Sequence, residues 1–226
     1  MSHPSSLTLF DLDETLLPLD SDHAFGEYLV HIGWANAQEH QRQNDAFYQD
    51  YLAGRLDMTA YIRFATAAWR GRPPEQLDQL TADFMREVIQ PALREEARAL
   101  VQQHRAQGEL LALVTSTNEF ITAPIAKAFG FETLIATQLE RDARGRVTGR
   151  IQGVPSLREG KVQRVAAWLQ DQGLDWTSFD TIYCYSDSTN DLPLLERATH
   201  PVATNPGPEL ERIAHERGWP ILRLFA

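Results

Sequence analysis

The order of hydrophobic and polar positions predicts alternating strands and helices. Three short apolar runs, Leu7–Phe10, Leu110–Val114 and Thr181–Tyr185, each end abruptly in polar residues. Near-continuous apolar runs of this length are typical of strands buried on both faces of a parallel sheet. Amphipathic stretches, Leu93–Gln107 and Lys161–Gln172, precede the second and third runs, and each is followed by a glycine suited to a helix end. The predicted fold is therefore α/β, with a three-layer Rossmann-like parallel sheet core.

The segment between the first two runs has a different pattern. Phe25–Arg70 is rich in aromatic residues and alanine at helical spacing, and Glu75–Glu87 forms a further helical stretch. We expect an inserted helical cap domain at residues 19–87, with residues 1–18 and 88–226 forming the core.

A β-hairpin is also predicted in the second half of the chain. The segment Leu134–Ile151 has the pattern of a strand, a turn at Ala143-Arg-Gly145 and a returning strand.

Chemically capable side chains follow each of the three apolar runs. Asp11 and Asp13 come after the first run, Thr115 and Ser116 after the second, and Asp187 soon after the third. In an open parallel sheet, the groups just past the carboxyl ends of the strands line the ligand crevice. We therefore expect these residues to converge on one site.

Four motifs resemble, in order, those of the haloacid dehalogenase-like superfamily. They are Asp11-Leu-Asp-Glu-Thr15, Thr115, Lys161 and Asp187-Ser-Thr-Asn-Asp191. The helical insertion after the first motif is similar to the C1-type cap of the phosphoserine phosphatases in subfamily IB. The closing stretch, His200-Pro-Val-Ala-Thr-Asn-Pro206, is similar to a sister branch of hydrolases. The resemblance implies a magnesium-dependent phosphomonoester hydrolase that acts on a small phosphorylated metabolite through an aspartyl-phosphate intermediate.

The first motif carries the predicted nucleophile and acid–base. The Asp11 carboxylate attacks phosphorus, which splits one difficult displacement into two easier ones. Asp13 protonates the leaving oxygen and later deprotonates water. Because two neighbouring carboxylates repel a phosphate, a cation is required, and Mg²⁺ prefers hard oxygen ligands. Asp11 and Asp187 are the expected metal ligands, and the family pattern adds the main-chain carbonyl of Asp13.

The other motifs supply a fixed cation and phosphate contacts. Lys161 is one of only two lysines in a chain that otherwise uses arginine, and we expect it to neutralise the nucleophile and phosphoryl oxygens. Thr115 offers a hydroxyl and Ser116 a backbone N–H to the phosphate. Asn190 and Asp191 are expected to orient the metal ligands and Lys161 from behind.

Each of these residues also has an ordinary structural interpretation. Asp11 and Asp13 could begin a turn, Thr115 and Thr117 could be caps, and Asn190 or Asp191 could cap the helix after the third strand. Lys161 could be a solvated lysine at a helix start. Two other functions share the motifs: a phosphotransferase or mutase, and a receiver-like regulatory domain in which phosphorylated aspartate is only a signal.

Composition and charge limit the classes of molecule that the protein is expected to bind. The 21 Lys and Arg against 31 Asp and Glu give a formal charge of −10, which argues against nucleic-acid or anionic-membrane partners. Cys184, the only cysteine, lies in an apolar run and is expected to be buried and inert. No secretion signal or membrane-spanning stretch is visible, so a cytoplasmic location is expected. The sequence leaves the oligomeric state open.

Substrate choice is predicted to depend on the cap, and phosphoserine is not expected to be the best substrate. Asp20 matches the acidic residue that phosphoserine phosphatases use after the first motif. An ungapped match puts Ala65 at the position of their cap arginine, with Arg63 two residues away, and Thr115-Ser-Thr117 replaces their Ser-Gly-Gly.

Overall fold

A six-stranded parallel sheet forms the centre of the protein. The computed structural model describes residues 5–225, and the strand order in the sheet is β3-β2-β1-β6-β7-β8. These strands are β1 (Ser6–Phe10), β2 (Leu110–Asn118), β3 (Leu134–Thr137), β6 (Thr181–Ser186), β7 (His200–Thr204) and β8 (Ile221–Leu222). The predicted α/β fold with a parallel sheet is confirmed.

Helices cover the sheet and form the insertion after β1. The insertion holds α1 (Ser21–His31), α2 (Ala37–Leu52), α3 (Met58–Ala65), α4 (Pro74–Phe84) and α5 (Gln90–Ala92). The remaining helices are α6 (Glu95–Ala106), α7 (Glu119–Phe129), α8 (Glu159–Asp171), α9 (Leu192–Leu195) and α10 (Pro208–Arg217). The order of strands and helices matches the alternation predicted for the core.

The central strand β1 lies between β2 and β6 and is the most enclosed part of the sheet. Leu7, Leu9 and Phe10 are fully buried, as expected for a strand covered on both faces. Pairing runs in parallel to both neighbours, so the carboxyl ends of β1, β2 and β6 meet at one edge. Residues that follow these strands are therefore brought together.

Strand β2 is longer than predicted. It continues through Thr115 to Asn118, where it pairs again with Thr137 of β3 after a register shift. Asn118 then caps α7 by accepting a hydrogen bond from Ile121 N. The polar residues after Val114 thus belong to the strand itself, because the pairing with β3 resumes beyond them.

The predicted helix Glu75–Glu87 also continues further than expected. After α4, a π-helical turn at Met85–Ile89 leads into α5, so the helical path reaches Ala92. Pro91 lacks the N–H that would close the next regular turn, and a proline is a common cause of such irregularities.

The expected hairpin is shorter than its predicted span. Leu134–Thr137 belongs to the main sheet, and only β4 (Leu139–Arg141) and β5 (Val147–Ile151) pair with each other in antiparallel fashion. Asp142 closes the turn, because its Oδ1 accepts hydrogen bonds from the backbone N–H groups of Arg144 and Arg146. The two strands remain separate from the main sheet.

The inserted helices share one hydrophobic core with the sheet. Trp69 is fully buried and stacks on Phe120 of α7 at a centroid distance of 4.2 Å. Phe25 contacts Phe84 edge-to-face at 5.0 Å. Cys184 is buried, as expected. Across residues 5–225, no helix has the length and apolar character needed to cross a membrane.

Trp69→Ala is predicted to lower the free energy of unfolding by about 3–5 kcal/mol, because it leaves a large cavity where the insertion meets the core. Urea denaturation measures this loss. Val154→Ala, at a position 43% exposed, is the control and should change stability by less than about 0.5 kcal/mol. A near-neutral Trp69→Ala would contradict the shared core.

Candidate active site

The carboxylate of Asp11 lies at the centre of the site. Its backbone N–H donates to Tyr185 O at 2.9 Å, which continues the pairing of β1 with β6 by one residue. The side chain accepts hydrogen bonds from Lys161 Nζ at 2.8 Å and from Thr15 Oγ1 at 3.1 Å. Because Asp11 is only 9% exposed, its carboxylate is held in one orientation at the edge of the sheet.

Lys161 joins the first and last motifs through two ion pairs. Its Nζ lies 2.8 Å from Asp11 Oδ1 and 2.7 Å from Asp191 Oδ2, and the residue is 2% exposed. Burial alone would lower the pKa of Lys161, but the charges of the two carboxylates outweigh it and raise the pKa. Asp191 also accepts a hydrogen bond from Ser186 Oγ at 2.8 Å. The ammonium is therefore a permanent positive charge against Asp11.

Asp13 has the properties of an acid–base group. Its Oδ1 accepts a hydrogen bond from Ser21 N at 2.8 Å, and its Oδ2 accepts one from Thr117 Oγ1 at 2.9 Å. Burial, and secondly the charge of Asp20, raise the pKa of Asp13 to about 7. A carboxyl group with such a pKa is able to give and take a proton near neutral pH.

Asp187 carries negative charge that the described residues do not balance. Its Oδ1 and its backbone N–H both contact Thr15 Oγ1, at 3.2 and 3.1 Å. Burial, and then the charges of Asp11, Asp191 and Glu14, raise its pKa well above the usual range. Within residues 5–225, no lysine or arginine forms an ion pair with Asp187.

This arrangement fits a hard divalent cation. Thr15 Oγ1 lies within 3.2 Å of both Asp11 Oδ2 and Asp187 Oδ1, so the two carboxylates flank one small region. Across the described part of the chain, no group of three or more His, Cys, Asp or Glu side chains forms a ready-made metal cage. Proteins nevertheless often bind Mg²⁺ with only two carboxylates. The ion's other ligands are then water molecules and oxygens of the substrate phosphate.

The second motif reaches the site through residues that follow Thr115. The Thr115 hydroxyl is fully buried and accepts a hydrogen bond from Thr117 N at 3.2 Å. Ser116 and Thr117 line the cavity in front of Asp11. Sequence reasoning gave Thr117 no role beyond a possible cap, although its hydroxyl holds Asp13.

The predicted roles of Asn190 and Asp20 stay predictions, and both side chains make structural contacts. Asn190 Oδ1 accepts a hydrogen bond from Arg158 Nε at 3.1 Å, and its Nδ2 donates to Tyr51 O at 3.4 Å. Asp20 lines the cavity and caps α1, accepting hydrogen bonds from the backbone N–H groups of Asp22 and His23.

A cavity of about 250 Å³ extends from these carboxylates into the insertion. Its wall in the insertion consists mainly of acidic, aromatic and amide side chains. These are Asp20, Asp22, His23, Asn44, Phe47, Tyr48, Tyr51 and Tyr61. Among the described residues that line the cavity there is no lysine or arginine, and Arg63 is exposed at the surface instead.

Most of this wall was not predicted from the sequence. Asp22, Asn44 and Tyr61 belong to three different helices and form no motif along the chain. Thr15 was part of the first motif, yet its link to Asp187 depends on the pairing of β1 with β6. The helical pattern gave only the general expectation that the cap faces the substrate.

Comparison with known proteins supports the resemblance. The haloacid dehalogenase-like hydrolase family matches residues 8–196. A histidinol-phosphatase from Neisseria meningitidis serogroup C (strain 8013) is 45% identical over 217 residues, which are 96% of this chain and 98% of that protein.

Solved structures show the same fold. A protein of unknown function from Bordetella pertussis Tohama I has a TM-score of 0.92 at 48% identity, with 98% of this chain and 100% of that chain covered. A phosphoserine phosphatase holding an analogue of its phospho-aspartyl intermediate has a TM-score of 0.68 at 16% identity, over 98% of this chain and 94% of that chain. The chain belongs to the haloacid dehalogenase-like hydrolase family, as an enzyme of the phosphatase type.

Proposed function

We propose that the chain is a Mg²⁺-dependent phosphomonoesterase that works through an aspartyl phosphate on Asp11. The observation that carries the proposal is the pairing of two carboxyl groups with different environments. Burial raises the pKa of both carboxyl groups, but Asp11 has the ammonium of Lys161 at 2.8 Å, whereas neutral donors on Ser21 and Thr117 hold Asp13, whose pKa is about 7. A carboxylate beside a fixed cation, next to a carboxyl group that can carry a proton near neutral pH, fits a nucleophile beside an acid–base group.

The reaction has two displacements. In the first, an Asp11 oxygen forms a bond to phosphorus while the ester P–O bond breaks, and protonated Asp13 gives its proton to the leaving oxygen. In the second, Asp13 takes a proton from water, whose oxygen attacks phosphorus and breaks the bond to Asp11. Inorganic phosphate and the free Asp11 carboxylate result, and Asp13 is protonated again.

The surrounding groups stabilise the phosphoryl oxygens. Lys161 offsets charge at Asp11, and Ser116 lines the cavity, where its backbone N–H is proposed to donate to the phosphate; Thr115 is fully buried and supports this segment from behind. Mg²⁺ would be held by the carboxylates of Asp11 and Asp187 and the main-chain carbonyl of Asp13. When bound, the ion supplies charge compensation between these carboxylates and the phosphate.

The organic part of the substrate is proposed to be cationic, and histidinol phosphate is the compound we favour. It carries an ammonium group and an imidazole ring but no carboxylate. Two carboxyl groups, Asp20 and Asp22, face the part of the cavity beyond the phosphate, and burial and the charge of Asp20 raise the pKa of Asp22 to about 8. A cationic substrate relieves this repulsion, whereas the carboxylate of phosphoserine adds to it.

The aromatic side chains of the cavity also fit such a substrate. Phe47, Tyr48 and Tyr61 give flat apolar surface beside the acidic groups. Rings of this kind stack on heterocycles and attract cations over their faces. The cap, predicted at residues 19–87, is therefore proposed to select the substrate.

Asp11→Asn is predicted to reduce phosphate release by more than about 10³-fold, because the amide cannot form the covalent intermediate. The variant should stay folded at the assay temperature, although its melting temperature falls because Lys161 loses one of its two carboxylate partners. Steady-state phosphate release with purified enzyme measures the effect. Activity equal to the wild type would exclude Asp11 as the nucleophile.

Chelation by EDTA is predicted to silence the wild type, and added Mg²⁺ should restore it. Asp187→Asn should raise the Mg²⁺ concentration needed for half-maximal activity by about 10-fold or more, because one carboxylate ligand is lost. Asp180→Asn, outside the site, serves as the control variant. Full activity after chelation and dialysis would refute the metal assignment.

Histidinol phosphate is predicted to give a higher kcat/KM than phosphoserine, sugar phosphates or nucleotides. Asp22→Asn should lower kcat/KM for histidinol phosphate by about 10–100-fold, because a buried charge pair with the substrate is lost. With p-nitrophenyl phosphate, which lacks a cationic group, the same variant should stay within about threefold of the wild type. A kcat/KM for phosphoserine above every other ester would contradict the proposed substrate class.

A further inference from the structure

Arg158 has a backbone conformation that an arginine rarely adopts. Its φ is 53° and its ψ is −123°, and it lies immediately before α8, the helix that carries Lys161. Positive φ is common for glycine but strained for residues with a Cβ. Strained backbone persists where surrounding contacts over-determine it, often beside functional sites. We therefore expect contacts of the Arg158 side chain to hold this backbone conformation.

The Arg158 side chain reaches from the core to the insertion. Its Nε donates to Asn190 Oδ1 at 3.1 Å, and Asn190 Nδ2 donates to Tyr51 O at 3.4 Å, at the carboxyl end of α2. The guanidinium lies against Gly54, so close that a Cβ at this glycine would overlap it. Arg158 and Asn190, both in the core, thus contact the carboxyl end of α2.

The carboxyl end of α2 carries Tyr51, which lines the same cavity as Asp11 and Asp13. Tyr51 lines the cavity, and its pKa is raised by burial and then by the charges of Asp191, Asp11 and Asp187. Tyr51 thus brings the carboxyl end of α2 into the wall of the cavity.

We propose that Arg158 is a positioning residue: through Asn190 and Gly54 it holds the carboxyl end of α2 on the core and so places Tyr51 beside the phosphoryl site. The proposal rests on the phosphatase function proposed above. Without these contacts, the carboxyl end of α2 occupies its position on the core for a smaller fraction of the time. Since the apparent affinity falls with the fraction of binding-competent protein, KM rises while kcat is largely kept.

The glycines at the ends of the inserted helices provide a matched test. Gly54 follows α2 with φ +67°, and Gly33 follows α1 with φ +75°. An alanine at either position carries the same kind of backbone strain, and both variants should melt roughly 2–8 °C below the wild type. Only Gly54→Ala pushes the Arg158 guanidinium away, because nothing lies within 4 Å of a Cβ at Gly33.

Kinetics with p-nitrophenyl phosphate, a probe that does not depend on the natural substrate, test the proposal. Arg158→Ala and Gly54→Ala should each raise KM by roughly 3–10-fold and leave kcat within about twofold, whereas Gly33→Ala keeps the KM of the wild type. The double variant Gly54→Ala/Arg158→Ala should have the same KM as Arg158→Ala alone, because each change removes the same contact between Arg158 and Gly54.

Hydrogen exchange gives a readout that needs no activity. The amides of Gly54 and Arg55 donate to Tyr51 O and Asp50 O at the end of α2. Both amides should exchange faster than in the wild type in Arg158→Ala and Gly54→Ala, and at the wild-type rate in Gly33→Ala.

Two results would overturn the proposal. One is equal KM in the Gly54→Ala and Gly33→Ala variants. The other is a fall in kcat at unchanged KM in Arg158→Ala, the sign of lost folded enzyme rather than lost positioning. A wild type without phosphatase activity refutes the proposed function instead, and the exchange rates then decide the role of Arg158 separately.

Discussion

The buried ion triad of Lys161 with Asp11 and Asp191 is the interaction on which the rest of the site depends. Both Nζ–oxygen distances are below 3 Å, and the ammonium is almost fully enclosed. Taking these charges out of water is costly, and removing one partner of such a group typically destabilises a protein by about 3–5 kcal/mol. The triad forms only because β1, α8 and the segment after β6 meet at one edge of the sheet. The fold thus places a fixed positive charge against Asp11 before any substrate arrives.

Negative charge in excess of this triad shapes the remainder of the cavity. Asp187 has no cationic side chain as an ion-pair partner within the described chain, and Asp13, Asp20 and Asp22 all have a raised pKa, for which burial is the largest cause. Under the proposed function, a hard cation balances the charge at the sheet edge, and the carboxyl groups further out favour a cationic ester.

The core and its motifs were predictable from the sequence because they depend on local signals. Buried strands give continuous apolar runs, and parallel pairing forces the residues that follow them to one edge, so Asp11 and Asp187 were expected to converge. The contacts between the insertion and the core were not predictable. Tyr51, Asp22 and Arg158 act through helix packing and one unusual backbone conformation, and neither leaves a period or a motif in the sequence. The extension of β2 to Asn118 was missed for the same reason, since it depends on renewed pairing with β3.

Trapping the covalent intermediate tests the central claim most directly. Enzyme mixed with Mg²⁺ and histidinol phosphate, quenched in acid within one turnover and digested, is examined by mass spectrometry. The account predicts the added mass of one phosphoryl group on the peptide that contains Asp11, mapped to its carboxylate by fragmentation, and no such mass in the Asp11→Asn variant. A phosphoryl group on another residue, or phosphate release with an unmodified Asp11 peptide under conditions where the intermediate accumulates, would contradict it.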